Sequence, residues 1–564
     1  MSDRKPMDGL SHVVGKTDTP LREQTIPDVL AQTVKTHGAR EAAVFVEQSV
    51  RWSYQEFAHE VDRLACGLLR LGVEKGDRVG IWSPNRVEWL VTQFATARIG
   101  AVLVNVNPAY RLYELEYALN KVGCSVLITA ARFKTSDYIA MLNELCPELA
   151  TSTPGALAAK RAPHLRRIIV MGNDAVPGCD AFAAISALGT PVDTAALDAV
   201  TKTLSPSDPI NIQFTSGTTG SPKGACLTHR NIVNNADQVT AAMRFTADDR
   251  LCIPVPFYHC FGMVMGTLGC VTKGAVMVVP GEAFDPAQTM RAVADERCTA
   301  LFGVPTMFVT ELGLPDFDDY DLSALRTGIM AGATCPIEVM KQVQARMNMQ
   351  EVTIAYGMTE TSPVSFQSDV DDPLEKRVST VGRVHPHVEC KVVDEDGRTL
   401  PVGQQGELCT KGYSVMQGYW ADDEKTAGSI RDGWMQTGDL AVIDAEGYCD
   451  ITGRVKDMII RGGENIFPRE VEDFLFTHPA IAQAQVFGIS DEKFGEIVCA
   501  WVVPNEGAGI SEEDVRAFCR DNIAHFKVPA HVRIKDALPM TVTGKPQKFI
   551  MRDDMERELS QVHA

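Results

Sequence analysis

The sequence lacks most of the features that would set it apart from ordinary globular proteins. Its 564 residues contain no internal repeat and no low-complexity tract, and the 44 glycines and 30 prolines are spread along the chain. A collagenous or broadly disordered protein is therefore excluded. Basic residues are the minority, since 54 Lys and Arg face 73 Asp and Glu, giving a formal net charge of −19. This acidity disfavours a general nucleic-acid binder and tight adsorption to an anionic membrane.

The 15 cysteines include no CxxC pair, and their number is odd. The N-terminal residues MSDRKPMDGL carry charge but no apolar run follows them, so we expect no signal peptide. In a long chain without an export signal, buried reduced thiols are expected rather than disulfides or zinc ligands. We expect a cytoplasmic location.

One long uncharged run occurs, at residues 251–272. Its length would span a bilayer, but Pro254, Pro256, His259 and three glycines interrupt it. We therefore expect a buried strand, loop and helix beside a pocket.

Apolar spacing predicts alternating helices and strands in the first part of the chain. The predicted elements are a helix at 27–37, a strand at 42–46, a helix at 54–71, a strand at 77–82, a helix at 88–98 and a strand at 101–106. A second alternating block runs from about 208 to 345. Such alternation predicts layered α/β structure with parallel strands.

The pattern changes twice toward the C-terminus. From about 380 to 452, short β-rich runs separated by Gly and Asp turns predict a small β-barrel or meander attached to the first lobe. The last hundred or so residues predict a separate α+β domain. Its expected elements are a helix at 468–477, strands at 484–489 and 496–503, and a helix at 512–522 with Ser511 as its N-cap.

The strongest local motif is FTSGTTGSPKG, at residues 214–224. Glycines let backbone N–H groups approach an anion closely, while hydroxyls add donors and a lysine adds a point charge. The motif predicts a triphosphate or pyrophosphate clamp, and it is not a Walker A loop because Pro222 and Gly224 flank the lysine. The clamp residues would be Thr215, Ser216, Gly217, Thr218, Thr219, Gly220 and Lys223.

Further motifs follow in order: IMAGAT at 329–334, YGMTE at 356–360, TGD at 437–439, GRVKD at 453–457 and PMTVTGKPQK at 539–548. With them the chain closely resembles the adenylate-forming acyl-CoA synthetase family, also called AMP-binding ligases, from about residue 30 to residue 555. The resemblance implies an α/β fold with a large N-terminal lobe of two layered subdomains plus a small β-barrel. It also implies an AMP-binding domain at 25–453, a hinge near 454–457 and a small mobile α+β domain at 457–564, while the polar, proline-bearing residues 1–24 predict an N-terminal arm.

The resemblance implies a set of nucleotide contacts. Tyr356 would lie against adenine, Thr359 would bond the α-phosphate, and Glu360 would hold Mg²⁺ together with Thr215. An aromatic face suits a purine and a hard oxygen ligand suits Mg²⁺.

The small residues of IMAGAT imply the other wall of the adenine slot, at Gly332 and Ala333. Asp439 would bond the ribose hydroxyls, because a carboxylate accepts two protons in parallel. Arg454 would make the second ribose contact.

Roles in the small domain follow from the same resemblance. Lys456 matches the hinge, Gly463 matches the loop that reaches the reaction centre for thioester formation, and Asn465 would assist that second step. Lys545 matches the catalytic lysine that neutralises charge in the transition state, with the nearby Lys548 as the competing candidate.

The acyl pocket is implied by VPFYHCFGMVMG. His259 and Phe261 match its lining, and the positions expected to complete it are Met330, Gly332, Gly357, Pro363 and Val364. Phe261 stands where the aryl-CoA branch commonly carries tyrosine, which favours an aliphatic acid. Met263 and Met265 add adaptable volume.

The sequence therefore predicts an ATP- and Mg²⁺-dependent ligase that joins a carboxylic acid to coenzyme A, most similar to the medium-chain fatty acyl-CoA synthetases. Three alternatives stay open: an aryl, short-chain or sulfur-bearing acid, transfer of the acyl group to a carrier protein, and a non-catalytic nucleotide or acyl-CoA binding protein. The presence of Lys545, Glu360 and Asp439 argues against the last. Small-molecule partners are expected, without nucleic acid or a membrane span, and a homodimer is left open.

Overall fold

The computed structural model describes residues 4–172, 175–189, 194–215, 222–333, 335–461, 464–491, 493–541 and 544–562. Within these ranges, most strands belong to four sheets. Two large sheets and a smaller antiparallel sheet form the N-terminal lobe, and the fourth sheet belongs to the C-terminal domain. This mixed α/β architecture confirms the predicted fold class.

The first sheet has eight described strands: the first six are parallel, the seventh is antiparallel to the sixth, and the eighth is antiparallel to the seventh. In spatial order they are Asp180–Ala181, Arg167–Val170, Val126–Thr129, Arg78–Trp82, Val102–Asn105, Pro209–Thr215, Lys223–Thr228 and Gly418–Tyr419.

The second sheet has nine described strands and a parallel centre with antiparallel edges. In spatial order they are Arg383–Val384, Val364–Gln367, Glu351–Gly357, Thr327–Ala331, Ala300–Gly303, Arg250–Cys252, Val276–Val279, Glu41–Phe45 and Val50–Ser53.

Helices cover both sheets. Val87–Ile99 is buried around most of its surface, as expected of a helix enclosed by other elements rather than one facing water. The helices of this lobe are Ile26–His37, Tyr54–Arg70, Val87–Ile99, Leu112–Val122, Tyr138–Leu145, Phe182–Leu188, Thr194–Thr201, His229–Ala242, Gly269–Lys273, Pro286–Asp295, Pro305–Leu312, Ile337–Arg346, Leu374–Ser379 and Asp423–Ser429.

The third sheet, called the barrel sheet below after the predicted barrel or meander, is wholly antiparallel in its described part, and its described strands pair as an open sheet. Its first strand comes from the predicted polar arm, so that segment is tied down rather than loose. The strands are His12–Val14, Val388–Val393, Gly406–Gly412, Trp434–Ile443, Ile430–Arg431 and Cys449–Arg454.

The C-terminal domain has its own core. Its sheet comprises Glu464–Ile466, Ile459–Arg461, Gly495–Pro504, Ile481–Asp491 and His531–Ile534, and its helices are Pro468–Leu475, Glu512–Asn522 and Lys548–Val562. Ser511 caps the second helix by accepting a hydrogen bond from the backbone N–H of Asp514, as expected. The domain boundaries themselves stay a prediction.

The uncharged run at 251–272 is buried inside the protein. It completes the strand Arg250–Cys252 and continues into a π-helix at Phe261–Leu268 and a short α-helix at Gly269–Lys273. Among the described helices, none combines the length and apolar character that a membrane crossing requires. All 15 cysteines are free thiols and 13 of them are buried, which agrees with the expectation of reduced thiols.

Candidate active site

The predicted phosphate clamp joins two antiparallel strands of the first sheet. Thr215 ends the strand Pro209–Thr215, Lys223 begins the strand Lys223–Thr228, and these two residues face each other in the sheet. A hairpin therefore holds the loop, in contrast to the strand-to-helix turn of a Walker A site. The clamp residues Ser216, Gly217, Thr218, Thr219 and Gly220 lie outside the described residues.

Glu360 is the acidic centre beside this hairpin. It belongs to the 3₁₀ turn Thr359–Thr361 and is only 6% exposed. Its Oε1 accepts hydrogen bonds from the Thr215 hydroxyl at 3.1 Å and from the Tyr419 hydroxyl at 2.9 Å. Both bonds end on one oxygen, which leaves Oε2 as a hard ligand of the type that Mg²⁺ prefers. The residues present therefore fit a magnesium ion at Glu360 and Thr215.

Tyr356, Asp439 and Arg454 form a second cluster. The Tyr356 hydroxyl donates to Asp439 Oδ2 at 2.6 Å, and Arg454 Nε donates to Oδ1 at 3.0 Å. Asp439 and Arg454 are partners on neighbouring strands of the barrel sheet, so the sheet register fixes their contact. Burial, and next the charge of Asp439, raises the pKa of Tyr356 well above its usual value, so this phenol stays protonated as a donor.

Two glycines stand next to this cluster. Gly332 has φ +90° and is exposed, as is Ala333. At these two positions the IMAGAT segment therefore exposes almost no side chain at its surface. At Gly357 a Cβ would come within 1.8 Å of the Pro363 carbonyl oxygen. Glycine is required there because the chain passes so close.

Lys545 of the C-terminal domain interacts electrostatically with the two clusters. Burial, and second the positive charge of Arg454, lowers the pKa of Lys545, while Asp439 and Glu360 oppose that shift. The preceding Gly544 packs on the N-terminal lobe, since a Cβ there would come within 2.8 Å of Val304 Cγ2.

The competing lysine has another partner. Lys548 Nζ forms a salt bridge with Glu472 at 2.7 Å inside the C-terminal domain, where both side chains are largely buried. This contact favours Lys545 over Lys548 as the residue at the cleft.

The hinge region is a short exposed turn. Lys456 lies in the 3₁₀ turn Val455–Asp457, between the barrel sheet and the C-terminal hairpin. Asn465 is exposed on that hairpin, and the structure does not bring it to the Tyr356 or Glu360 cluster. Gly463 lies outside the described residues.

The predicted acyl lining is partly assembled. His259 Nδ1 accepts from the Phe261 backbone N–H at 3.2 Å, and burial, followed by the charge of Lys545, lowers the pKa of His259 to about 3. This imidazole is therefore neutral at physiological pH. Phe261 and Val364 belong to the same buried core, and Pro363 precedes Val364 in buried backbone.

Met330 is the exception. Its side chain is fully buried in the second core, with Leu301 and Phe308, whereas Phe261 belongs to the first core. Alternation along the strand Thr327–Ala331 places successive side chains on opposite faces of the sheet. The structure thus places Met330 and Phe261 in different cores, and the assignment of Met330 to the pocket wall stays a prediction.

A cleft of about 360 Å³ opens between the two domains, and Gly544, the neighbour of Lys545, belongs to its lining. Pro256, Tyr258 and Val304 line it from the N-terminal lobe, and Leu538, Met540 and Gly544 line it from the C-terminal domain. Its lining combines these largely apolar residues with charged ones, among them Lys134, Glu282 and Asp536.

Sequence comparison places this geometry in a known family. Residues 30–420 match the AMP-binding enzyme family, and residues 470–545 match the AMP-binding enzyme C-terminal domain. The chain belongs to the AMP-binding enzymes.

Three relatives illustrate the similarity. YngI of Bacillus subtilis (strain 168), named provisionally as an acyl-CoA synthetase, is 48% identical over 94% of this chain and 97% of its own length. The mitochondrial medium-chain acyl-CoA ligase ACSF2 of Danio rerio is 45% identical, covering 97% of this chain and 91% of the relative. The crystal structure of ATP-bound MatB from Rhodopseudomonas palustris has a TM-score of 0.80 at 30% identity, covering 94% and 99% of the two chains.

Three residues at this AMP-binding site were not predicted from the sequence. Tyr419 donates a hydrogen bond to Glu360, the ring of Phe302 packs at a tilt of 31° against Phe261 with centroids 5.2 Å apart, and Val304 lies between the two domains. Side chains alternate between the two faces along Ala300–Gly303 and the residue after it. Once the orientation of Phe261 is known, this alternation predicts that Phe302 and Val304 lie on its side of the sheet. No local signal marks Tyr419, which lies 59 residues after Glu360.

Proposed function

We propose that this protein is an ATP-dependent acid–coenzyme A ligase that works through an acyl-adenylate, with a medium-chain aliphatic acid as substrate. The observation that carries the proposal is the packing of Gly544 against Val304 of the other domain, which brings the charge of the adjacent Lys545 within electrostatic range of Asp439 and Glu360. A site divided in this way is completed only when the domains close.

In the first step, a carboxylate oxygen attacks the α-phosphorus of ATP, the bond to the bridging oxygen breaks, and pyrophosphate leaves. The Lys545 ammonium would lie between the carboxylate and the α-phosphate and neutralise charge as it builds up. Thr359 would donate to the α-phosphate. Tyr356, Gly332 and Ala333 would enclose adenine, and Asp439 and Arg454 would hold the ribose.

Glu360 and Thr215 would hold Mg²⁺, which supplies charge neutralisation for the departing pyrophosphate. Lys223 and the clamp residues 215–220 would bind the same phosphates through backbone N–H groups, hydroxyls and the ammonium.

In the second step, the C-terminal domain turns about Lys456, withdraws Lys545 and brings in Gly463 and Asn465. The thiolate of coenzyme A attacks the acyl carbonyl, and AMP leaves with the electron pair of the broken C–O bond. Domain closure keeps the mixed anhydride away from water between the steps.

The wall around His259 and Phe261 supports an aliphatic acid. A neutral imidazole places no charge in the pocket, and the adjacent rings of Phe261 and Phe302 offer no hydroxyl to a phenolic substrate. Gly357 and Val364 would complete the wall. The relatives named as medium-chain ligases agree with this assignment.

The test is a substrate screen in two stages with purified protein. Acid-dependent ATP–pyrophosphate exchange with acids from two to sixteen carbons, aryl acids included, should peak at medium length. Thioester should then form with free coenzyme A. Exchange without thioester would indicate a carrier-protein loader, and no exchange with any acid would contradict the proposal.

A further inference from the structure

Tyr419 occupies a position that the proposed reaction does not yet use. It ends the short edge strand Gly418–Tyr419 and is only 6% exposed. Its hydroxyl donates to Glu360 Oε1 at 2.9 Å, and the Lys223 ammonium lies 4.9 Å from the centre of its ring. One side chain therefore touches both the acidic centre and the cation at the end of the phosphate clamp.

The backbone around Tyr419 holds it in this position. Tyr419 faces Ala225 in the sheet, and the Trp420 N–H donates to the Gly224 carbonyl at 2.7 Å. Just upstream, the Met416 N–H donates to the Glu360 carbonyl at 2.9 Å. The segment is thus bonded to the clamp hairpin and to the turn of Glu360 at the same time.

The hydroxyl and the ring serve different partners. The hydroxyl bond ends on Oε1, the oxygen that also accepts from Thr215, and so directs Oε2 away from these donors. The aromatic face attracts the Lys223 ammonium by a cation–π interaction and restricts where its charge lies.

We propose that Tyr419 is a positioning residue that aligns Glu360 for Mg²⁺ through its hydroxyl and Lys223 for the nucleotide phosphates through its ring. The proposal rests on the proposed function, because it assumes that the clamp binds a magnesium nucleotide. It predicts two separable defects, one for each part of the side chain.

The test measures binding of α,β-methylene ATP by calorimetry, first with EDTA and then in a Mg²⁺ titration. Tyr419→Phe should keep the affinity without metal but lower the gain from Mg²⁺ about tenfold, the value of a hydrogen bond to a charged group. Tyr419→Leu should also lose about threefold in affinity without metal, because the ring under Lys223 is gone.

Tyr54→Phe is the matched control, since it also removes a buried hydroxyl, one that donates to the Ala275 carbonyl at 2.6 Å. Its thermal stability is expected to fall without any change in the Mg²⁺ gain. If Tyr419→Phe alters binding equally with and without Mg²⁺, or not at all, the positioning role is overturned. Wild-type protein that fails to bind the analogue would instead contradict the proposed function.

Discussion

At the residue scale, the site depends on which charged groups lie close to one another. Asp439 has both oxygens engaged, by Tyr356 and Arg454, and Glu360 has one oxygen engaged. Lys545 completes the arrangement from the other domain, with a pKa lowered by burial and by Arg454. Because each group has different contacts, we expect substitution of each one to affect a different step of the reaction.

Lys545→Ala is expected to slow adenylation by at least about a hundredfold, the typical loss when one charge-stabilising group is removed. Thioester formation from supplied acyl-adenylate should survive, because the lysine is withdrawn for that step. Both half-reactions are measured separately, and equal loss of both would refute the assignment.

The lowered pKa of Lys545 gives adenylation a pH dependence. The ammonium is the active form, so the adenylation rate should fall as pH rises through a pKa below the usual 10.5. Lys545→Arg should move this fall to higher pH, because guanidinium stays protonated. A pH profile identical for wild type and Lys545→Arg would show that another group titrates.

Asp439→Asn is expected to raise KM for ATP about tenfold, with a smaller effect on KM for the acid. The amide accepts fewer ribose protons and loses its ion pair with Arg454, a charge-assisted bond. Steady-state kinetics with each substrate varied in turn provides the measurement. An unchanged ATP dependence would remove Asp439 from the ribose site.

At the element scale, strand alternation decides which side chains reach the acyl pocket. In Ala300–Gly303, Phe302 belongs to the core of Phe261, whereas Leu301 belongs to the opposite core with Met330. Neighbouring residues of one strand therefore offer a substitution in the pocket wall and a control outside it.

Phe302→Leu is expected to shift the preferred acid to a longer chain, because the ring that backs Phe261 is replaced by a smaller side chain. The ratio of kcat/KM for two acids that differ by two carbons should change about tenfold, within the range for methylene discrimination. Leu301→Ala is the control, costing about 2–5 kcal/mol of stability with unchanged chain preference. A shift of equal size in both variants would contradict the wall role of Phe302.

At the scale of the whole molecule, the orientation of the C-terminal domain decides whether the site is complete. Arg469, on the helix Pro468–Leu475, forms a salt bridge with Asp450 of the barrel sheet at 3.2 Å. Arg469 also pairs with Asp473 of its own helix at 3.3 Å. This contact between domains lies close to the hinge and exists in the orientation that places Lys545 at the cleft.

Asp450→Asn is expected to slow adenylation up to about fivefold, since partly exposed ion pairs contribute about 0–1 kcal/mol and the pair stabilises only this orientation. The thioester half-reaction should be unaffected or faster. Glu513→Gln is the control, because Glu513 pairs with Arg516 and Arg520 inside the C-terminal domain. Equal slowing of both half-reactions, or the same effect from Glu513→Gln, would contradict an orienting role.

Much of the fold followed from local patterns. The helix predicted at 54–71 is Tyr54–Arg70 and the strand predicted at 77–82 is Arg78–Trp82, since amphipathic spacing and short apolar runs are set by near neighbours. The β-rich turns after residue 380 likewise predicted the barrel sheet. Pairing with His12–Val14 was not predictable, because that partner lies some 380 residues away.

By itself the sequence determined the element types, the family and the chemical identity of the clamp, the TGD aspartate and the small-domain lysines, because these depend on residues near one another in the chain. Three findings came only from the tertiary structure. Met330 and Phe261 lie in different cores. Lys548 pairs with Glu472 whereas Lys545 lies at the cleft, and Tyr419 lies between Glu360 and Lys223. Those outcomes depend on which face of a strand points inward and on how distant segments pack, and no local pattern encodes either.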